Sequence, residues 1–330
     1  MRILLVSFSS VEKNRGTSKQ KIWQSKETVF LRQGFCHNTC FTMSSSSATP
    51  LSHLAGLAVG DPAPVRVMAV LNVSPESFYK GSVHTTRERL VETVQTMVSA
   101  GADIIDIGAM STAPYLKTLI SVEEETERLG QAVQAVASQF TIPVSADTQR
   151  SQVAAAALAA GARIINDVSG LKHDPAMAGL IARSGAGVVI MAHESAPRTG
   201  PPLARIAAAL KESLEISAQA GIPRDRIVLD PGIGFFRQPG IPWDEWDCIV
   251  LRELRNLRVL GFPLLIGVSR KSFIGKILGQ PDAAQRLIGS LACAAIAVYN
   301  GAHIIRAHDV KETVEAVRIA ERLRPVFSTR

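Results

Sequence analysis

The chain has 330 residues, 46% hydrophobic and 20% charged, which is the composition of an ordinary globular protein with ample material for a large core. The net charge of +7 is concentrated at one end, because residues 1–50 hold seven Lys and Arg against only Glu12 and Glu27. The rest of the chain is close to neutral and gives no reason to expect a nucleic-acid-binding body. No apolar stretch reaches the roughly 18 residues of a membrane span. The four cysteines, Cys36, Cys40, Cys248 and Cys293, contain no C-x-x-C pair. That argues against a zinc site and fits a reducing, cytoplasmic compartment.

The N-terminal segment is basic, contains serines and has few acids. It reads either as an organellar transit peptide or as a disordered or mis-annotated extension, with Met43 as a second possible start, and the latter is favoured. Residues 1–60 are therefore expected to be a disordered extension and 61–330 one domain.

From residue 66 onward, eight short apolar runs each end in, or are soon followed by, a polar residue. They lead in order to Asn72, Ser111, Asp147, Asn166, His193, Asp230, Ser269 and the pair Arg306 and His308. Helix-periodic stretches rich in Ala, Leu and Glu separate them. Alternating buried strand and amphipathic helix is the signature of a parallel α/β fold, and eight units predict a closed (β/α)8 TIM barrel. Chemistry on such a barrel sits at the C-terminal strand ends.

Internal repeats mark the joints. Gly101-Ala-Asp-Ile-Ile105 recurs as Gly161-Ala-Arg-Ile-Ile165 and Gly301-Ala-His-Ile-Ile305, with Gly185-Ala-Gly-Val-Val189 a looser copy. Each predicts a left-handed glycine closing a helix, then the start of a buried strand, and their value reads as architectural rather than chemical. Thr85 and Ser121 look like capping-box starts of helices. Residues 237–247, rich in Pro, Gly and Trp, read as a long loop after the sixth strand.

Taken singly, Asp147, Asn166 and Asp230 would be ordinary turn or N-cap residues. A barrel aims all three into one pocket, where two carboxylates and a carboxamide suit a heterocycle rich in N–H groups, such as an aminopyrimidinone. Ser269-Arg-Lys-Ser272 brings a hydroxyl and two cations to a helix start, and Arg306 and His308 follow on the last strand. Together these two loops predict an anion site, with a solvated basic rim as the blander reading. Asn72-Val-Ser-Pro-Glu-Ser-Phe78 is long for a strand-to-helix loop and reads as a lid.

Six motifs carry a resemblance: Asn72 to Phe78, Ser145-Ala-Asp-Thr148, Asn166-Asp-Val-Ser-Gly170, Leu229-Asp-Pro-Gly-Ile-Gly-Phe235, Gly267 to Gly275 and Arg306-Ala-His-Asp-Val-Lys-Glu-Thr313. In this order and spacing, over roughly residues 65–325, the chain resembles the dihydropteroate synthase family. The resemblance implies a transferase of folate biosynthesis. It would join 6-hydroxymethyl-7,8-dihydropterin diphosphate to p-aminobenzoate and release diphosphate, as a homodimer using Mg2+. It further implies that Asp147, Asn166, Asp230 and Lys271 grip the pterin, that Asn72 helps hold Mg2+, and that Arg306 and His308 bind the diphosphate. Ser272 would face the aminobenzoate, with Thr112 in the second loop. The implied mechanism is dissociative, with Asp147, Lys271, Arg306 and His308 as the catalytic set.

Two departures stand out. Ala113 and Met110 replace the usual arginine and glutamate of the second loop, and Lys80 adds a cation to the first. This loop pair resembles archaeal-type homologues, so a methanopterin-pathway synthase using a ribosylated aniline is an alternative. A pterin-dependent methyltransferase would need no anion site, and a barrel that only binds pterin would need no turnover.

Overall fold

In a computed structural model of the chain, the described residues are 49–73, 83–109, 120–196, 198–236 and 240–325, without the side chains of 83–86. Residues 45–330 form one compact unit. A hairpin of β1 (Ser52–Leu54) and β2 (Leu57–Val59) precedes β3 (Arg66–Asn72) and α1 (Val83–Ser99). There follow β4 (Ile104–Gly108), α2 (Val122–Ala137), β5 (Val144–Asp147), α3 (Ser151–Ala159), β6 (Ile164–Asp167) and α4 (Ala176–Ser184). After these come β7 (Gly187–Met191), α5 (Pro202–Gln219), β8 (Ile227–Asp230), α6 (Trp243–Arg252) and β9 (Leu265–Gly267). The chain then runs through α7 (Ser272–Leu278), α8 (Leu287–Tyr299), β10 (Ile304–Ala307) and α9 (Val310–Leu323). Strands β3 to β10 pair in parallel in the order β8-β7-β6-β5-β4-β3-β10-β9, and a Leu229–Leu264 bridge joins the two ends. The expected (β/α)8 barrel is present.

Alternation along the strands separates two cores. Val67, Ile105, Ala146, Ile165, Val188, Leu229, Ile266 and Ile305 face outward and pack under the helices. Met68, Ile104, Ile164, Val189, Val228, Leu265 and Ile304 face inward as a second apolar cluster. Leu54 and Val59 of the hairpin belong to that inner cluster and are fully buried. The hairpin is thus a plug in the N-terminal mouth of the barrel. A side chain on Gly187 would lie 2.6 Å from Leu54 Cδ1, so the plug seats against bare backbone.

A polar network anchors the plug from below. Arg258 donates to both oxygens of Asp61, and His303 Nε2 lies 3.3 Å from Asp61 Oδ1. Leu264 N–H donates to His303 Nδ1 at 3.0 Å, so that nitrogen carries no proton and Nε2–H is the donor to Asp61. Burial would raise the Asp61 carboxyl, yet hydrogen bonds from His303, Arg258 and Thr49 hold it well below the usual carboxylate range.

Three expectations need correction. The extension does not reach residue 60, because 52–59 form the plug; residues 1–48 lie outside the described residues. The long loop read over 237–247 is shorter, since Pro242 precedes α6 as its N-cap and Trp243 begins the helix. Proline is well tolerated at a helix start, so the same residues that look like loop also suit a helix entry. Helix α1 begins at Val83, which places Thr85 inside it rather than at its cap. Ser121 does cap α2, accepting the Glu124 N–H at 3.1 Å. Gly101, Gly161, Gly185 and Gly301 all take positive φ at the helix-to-strand joints.

Candidate active site

Directly above the apolar layer the barrel interior turns polar within two residues. On β4 Ile104 gives way to Asp106, on β6 Ile164 to Asn166, on β8 Val228 to Asp230 and on β10 Ile304 to Arg306. Three of these occupy the same position in the three close repeats, one residue past the Ile pair. They meet in the barrel. Arg306 Nε donates to Asp106 Oδ2 at 2.6 Å, and Asn166 Nδ2 donates to the same oxygen at 3.1 Å. The repeats therefore carry chemistry as well as architecture. The looser fourth copy is out of phase and places Val189 inward.

Arg306 Nη2 reaches a second carboxylate, Asp147 Oδ2 of β5, at 2.9 Å. Since a carboxylate only accepts, Asn166 must turn its amide nitrogen to Asp106, which leaves its carbonyl oxygen for another donor. Asp106 Oδ1, Asp147 Oδ1 and Ser145 Oγ are buried with no hydrogen-bond partner among the described residues. Buried acceptors without donors cost about 1–3 kcal/mol each, so the cluster is built to receive N–H groups.

Charge is unevenly distributed over this cluster. Burial raises the Asp147 pKa to about 7, a rise that Arg306 opposes and the neighbouring Asp106 reinforces. Burial likewise raises Asp230 to about 6, against the Gly232 N–H (2.7 Å to Oδ1), Lys271 and Arg306. Burial also works against the charge of Arg306, but Asp106 and Asp147 outweigh it and raise its pKa.

Lys271 comes from the loop after β9, with Nζ 4.7 Å from the centre of the Phe235 ring in the loop after β8. Its neighbour Arg270 does not join it. Arg270 takes a left-handed φ of +57° and turns into a two-point pair with Asp309 at 2.9 and 2.5 Å. The Arg270 N–H donates to Ser290 Oγ at 2.8 Å, and its carbonyl accepts from Arg286 at 3.0 Å. The expected pair of cations in one anion site is thus split: one is a strut between the last two strand-end loops.

Ser269 Oγ accepts the His308 N–H at 3.2 Å and lies 3.0 Å from its ring Nδ1. His308 stands exposed at the rim, where partial desolvation and the charges of Arg306 and Arg270 lower its pKa to about 4, so the ring is neutral at neutral pH. Ser272 opens α7 beside Lys271. Asn72 ends β3, exposed and in register with Gly108 of β4. Thr112, Lys80, Met110 and Ala113 lie outside the described residues. Among the described residues no group of three or more His, Cys, Asp and Glu is arranged to hold a metal ion.

Of the residues expected at the site, the structure brings Asp147, Asn166 and Arg306 into one hydrogen-bonded set, with Asp230 and Lys271 electrostatically coupled beside it. Asp106 escaped the sequence reading because it sits inside a strand rather than after it. Two signals mark it: its period-two spacing from Ile104, and its repeat equivalence to Asn166 and Arg306.

Residues 68–308 match the sequence profile of the family described as pterin binding enzyme. The dihydropteroate synthase of Synechocystis sp. is 38% identical over 264 residues, covering 78% of this chain and 89% of that protein. That of Escherichia coli is 39% identical over 262 residues, 77% and 90% respectively. Among solved structures, Xanthomonas albilineans dihydropteroate synthase with 4-aminobenzoic acid superposes with a TM-score of 0.74 at 35% identity, over 83% of this chain and 98% of that one. The same bacterial protein in complex with 7,8-dihydropteroate gives 0.72 at 35% identity, with the same coverage of both chains.

Proposed function

The chain belongs to the pterin binding enzyme family, and on that premise we propose that it is a dihydropteroate synthase. It joins 6-hydroxymethyl-7,8-dihydropterin diphosphate to p-aminobenzoate and releases diphosphate, in folate biosynthesis. The observation that carries this reading is the set of buried, donor-seeking acceptors on β4 and β5, with Asn166 of β6 and Asp230 of β8 beside them. Asp147, Asn166 and Asp230 accept the N–H groups of the pterin, and Lys271 supplies a donor from above. The bond between the pterin methylene carbon and the diphosphate oxygen breaks, and its electron pair leaves with diphosphate. Positive charge then develops on the pterin, and the Asp147 carboxylate stabilises it electrostatically. The arylamine nitrogen forms the new C–N bond and gives up one proton to the surrounding water.

The diphosphate lies toward the rim, where Ser272 follows Lys271 at the start of α7 and the charge of Lys271 acts on His308. Approach of the anion favours protonation of His308, which is neutral when the pocket is empty. Arg306 holds Asp106 and Asp147 in place at the pterin end rather than standing at the rim. Asn72 offers one exposed hard oxygen beside Gly108, which fits a Mg2+ held mostly by diphosphate oxygens and water. Bound there, Mg2+ would neutralise charge on the leaving group. Thr112 and the second loop belong to the acceptor side of the same reading.

Exposed apolar residues gather on neighbouring helices α7 to α9: Ile277, Leu278, Ile288, Ile296, Tyr299, Ile319 and Leu323. Such a face supports a homodimer. No described helix is long and apolar enough to cross a membrane, and a cytoplasmic location accords with the free thiols of Cys248 and Cys293.

Diphosphate release is the decisive measurement, with the pterin diphosphate and a panel of acceptors. Turnover with p-aminobenzoate is expected. Turnover only with ribosylated anilines would support the methanopterin-type synthase to which Ala113 and Lys80 point. Pterin binding with no diphosphate release from any acceptor would overturn the synthase reading.

A further inference from the structure

Lys271 rests on a platform built by a helix outside the pocket. Its Cδ and Nζ lie 3.1 and 3.4 Å from where a Cβ on Gly234 would stand, so the end of the lysine chain lies flat across the bare glycine. Gly234 has φ +85°, a conformation that L side chains adopt only under strain. The Phe235 ring flanks the ammonium. Among the described residues two contacts fasten the platform loop to α6. Gly234 N–H donates to Asp247 Oδ1 at 2.9 Å, a fully buried bond, and Trp246 stacks on Phe236 with ring centres 5.0 Å apart. Trp246 is backed in turn by Arg205, whose guanidinium lies 4.6 Å from its ring and makes a two-point pair with Glu194 at 2.9 and 2.5 Å.

We propose that Asp247 is a positioning residue for pterin binding: by fixing the Gly234 amide it holds the surface on which Lys271 lies, and so aims the ammonium at the pterin beside Asp230. The proposal rests on the pterin reading of the pocket. Losing this acceptor leaves the buried N–H unmet and frees a glycine whose conformational range is wide. Lys271 would then sample positions away from the pocket while the barrel stays intact. Asp247 is fully buried behind the loop, so its effect on binding is expected to pass through Lys271.

The test is a double-mutant cycle read as the affinity of the full-length protein for free pterin, by calorimetry. Lys271→Ala is expected to weaken binding about tenfold, the loss of one charge-assisted hydrogen bond. Asp247→Ala should weaken it several-fold alone and have no further effect when Lys271 is already Ala. Asp247→Asn keeps an accepting oxygen and should restore most of the affinity. Melting temperatures taken in parallel separate positioning from unfolding. Should Asp247→Ala not fold, Gly234→Ala pushes on the lysine directly, and its effect on affinity should likewise vanish in the Lys271→Ala background. Undiminished effects of these changes without the lysine would overturn the proposal while leaving the pocket reading intact. Unchanged pterin affinity in Lys271→Ala would instead remove the lysine from the pterin site and overturn both.

Discussion

At the scale of single residues, Asp106 is the hinge of the pocket. One of its oxygens takes both the Arg306 and the Asn166 donors, so it sets which face each presents to a ligand. Asp106→Ala leaves two buried donors unmet at about 1–3 kcal/mol each and should weaken pterin binding tenfold or more. Asp106→Asn retains an acceptor and should cost less; equal losses would mean that charge alone matters. Acidity gives a second prediction. Asp147 and Asp230 titrate at about 7 and about 6 in the empty pocket, both raised by burial. Ligand N–H groups favour the charged carboxylates, so binding lowers both pKa values and releases protons wherever the empty pocket is partly protonated. Affinity should therefore fall as pH drops through this range, and calorimetry in buffers of different ionisation enthalpy should register proton release near pH 6. A pH-independent affinity from about pH 5 to 8 would rule these carboxylates out as the acceptors.

At the scale of elements, the least legible piece was the hairpin. Strands of three residues carry too little periodicity to stand out, and β1 and β2 follow a segment whose composition reads as disordered. The eight barrel strands were legible because each joins a Val- or Ile-rich run to a polar end. Their phase was equally present in the repeats, and following it one residue past the Ile pair would have exposed Asp106. What Arg270 does was not legible, since neither its left-handed backbone nor its pairing with Asp309, 39 residues on, follows from the local string. The plug makes its own prediction. Full burial of Leu54 and Val59 is worth roughly 1.5–3 kcal/mol each. A chain starting at Asp61 should melt lower than one starting at Ser45 by on the order of 10 °C, measured by calorimetry. Equal melting temperatures would show that the hairpin adds nothing to the barrel.

At the scale of the whole molecule, the barrel end carries the polar pocket, while the flank formed by α7, α8 and α9 carries the exposed apolar residues. Ile288 is 81% exposed, Leu323 68% and Ile319 66%, on helices that pack side by side. Ile288→Lys should shift a dimer toward monomer in sedimentation velocity while leaving pterin affinity unchanged, because the side chain faces solvent. A single species of unchanged mass in both proteins, at any concentration, would place the self-association surface elsewhere or abolish it.

With Leu54 and Val59 filling its lower mouth, the barrel is a blind well rather than a tunnel. Whatever lies on its floor must be first in and last out. The polar layer that suits the pterin rests directly on the sealed floor, so the acceptor is expected to enter above it. Turnover is accordingly expected to run as a queue, in which pterin diphosphate enters first, the arylamine follows, and the joined product backs out through the entrance. An unreactive arylamine analogue should then bind measurably only after the pterin is seated, and the rate of product escape should slow with solvent viscosity. Equal affinity of that analogue for the empty and the pterin-filled protein would mean that the well has a side door.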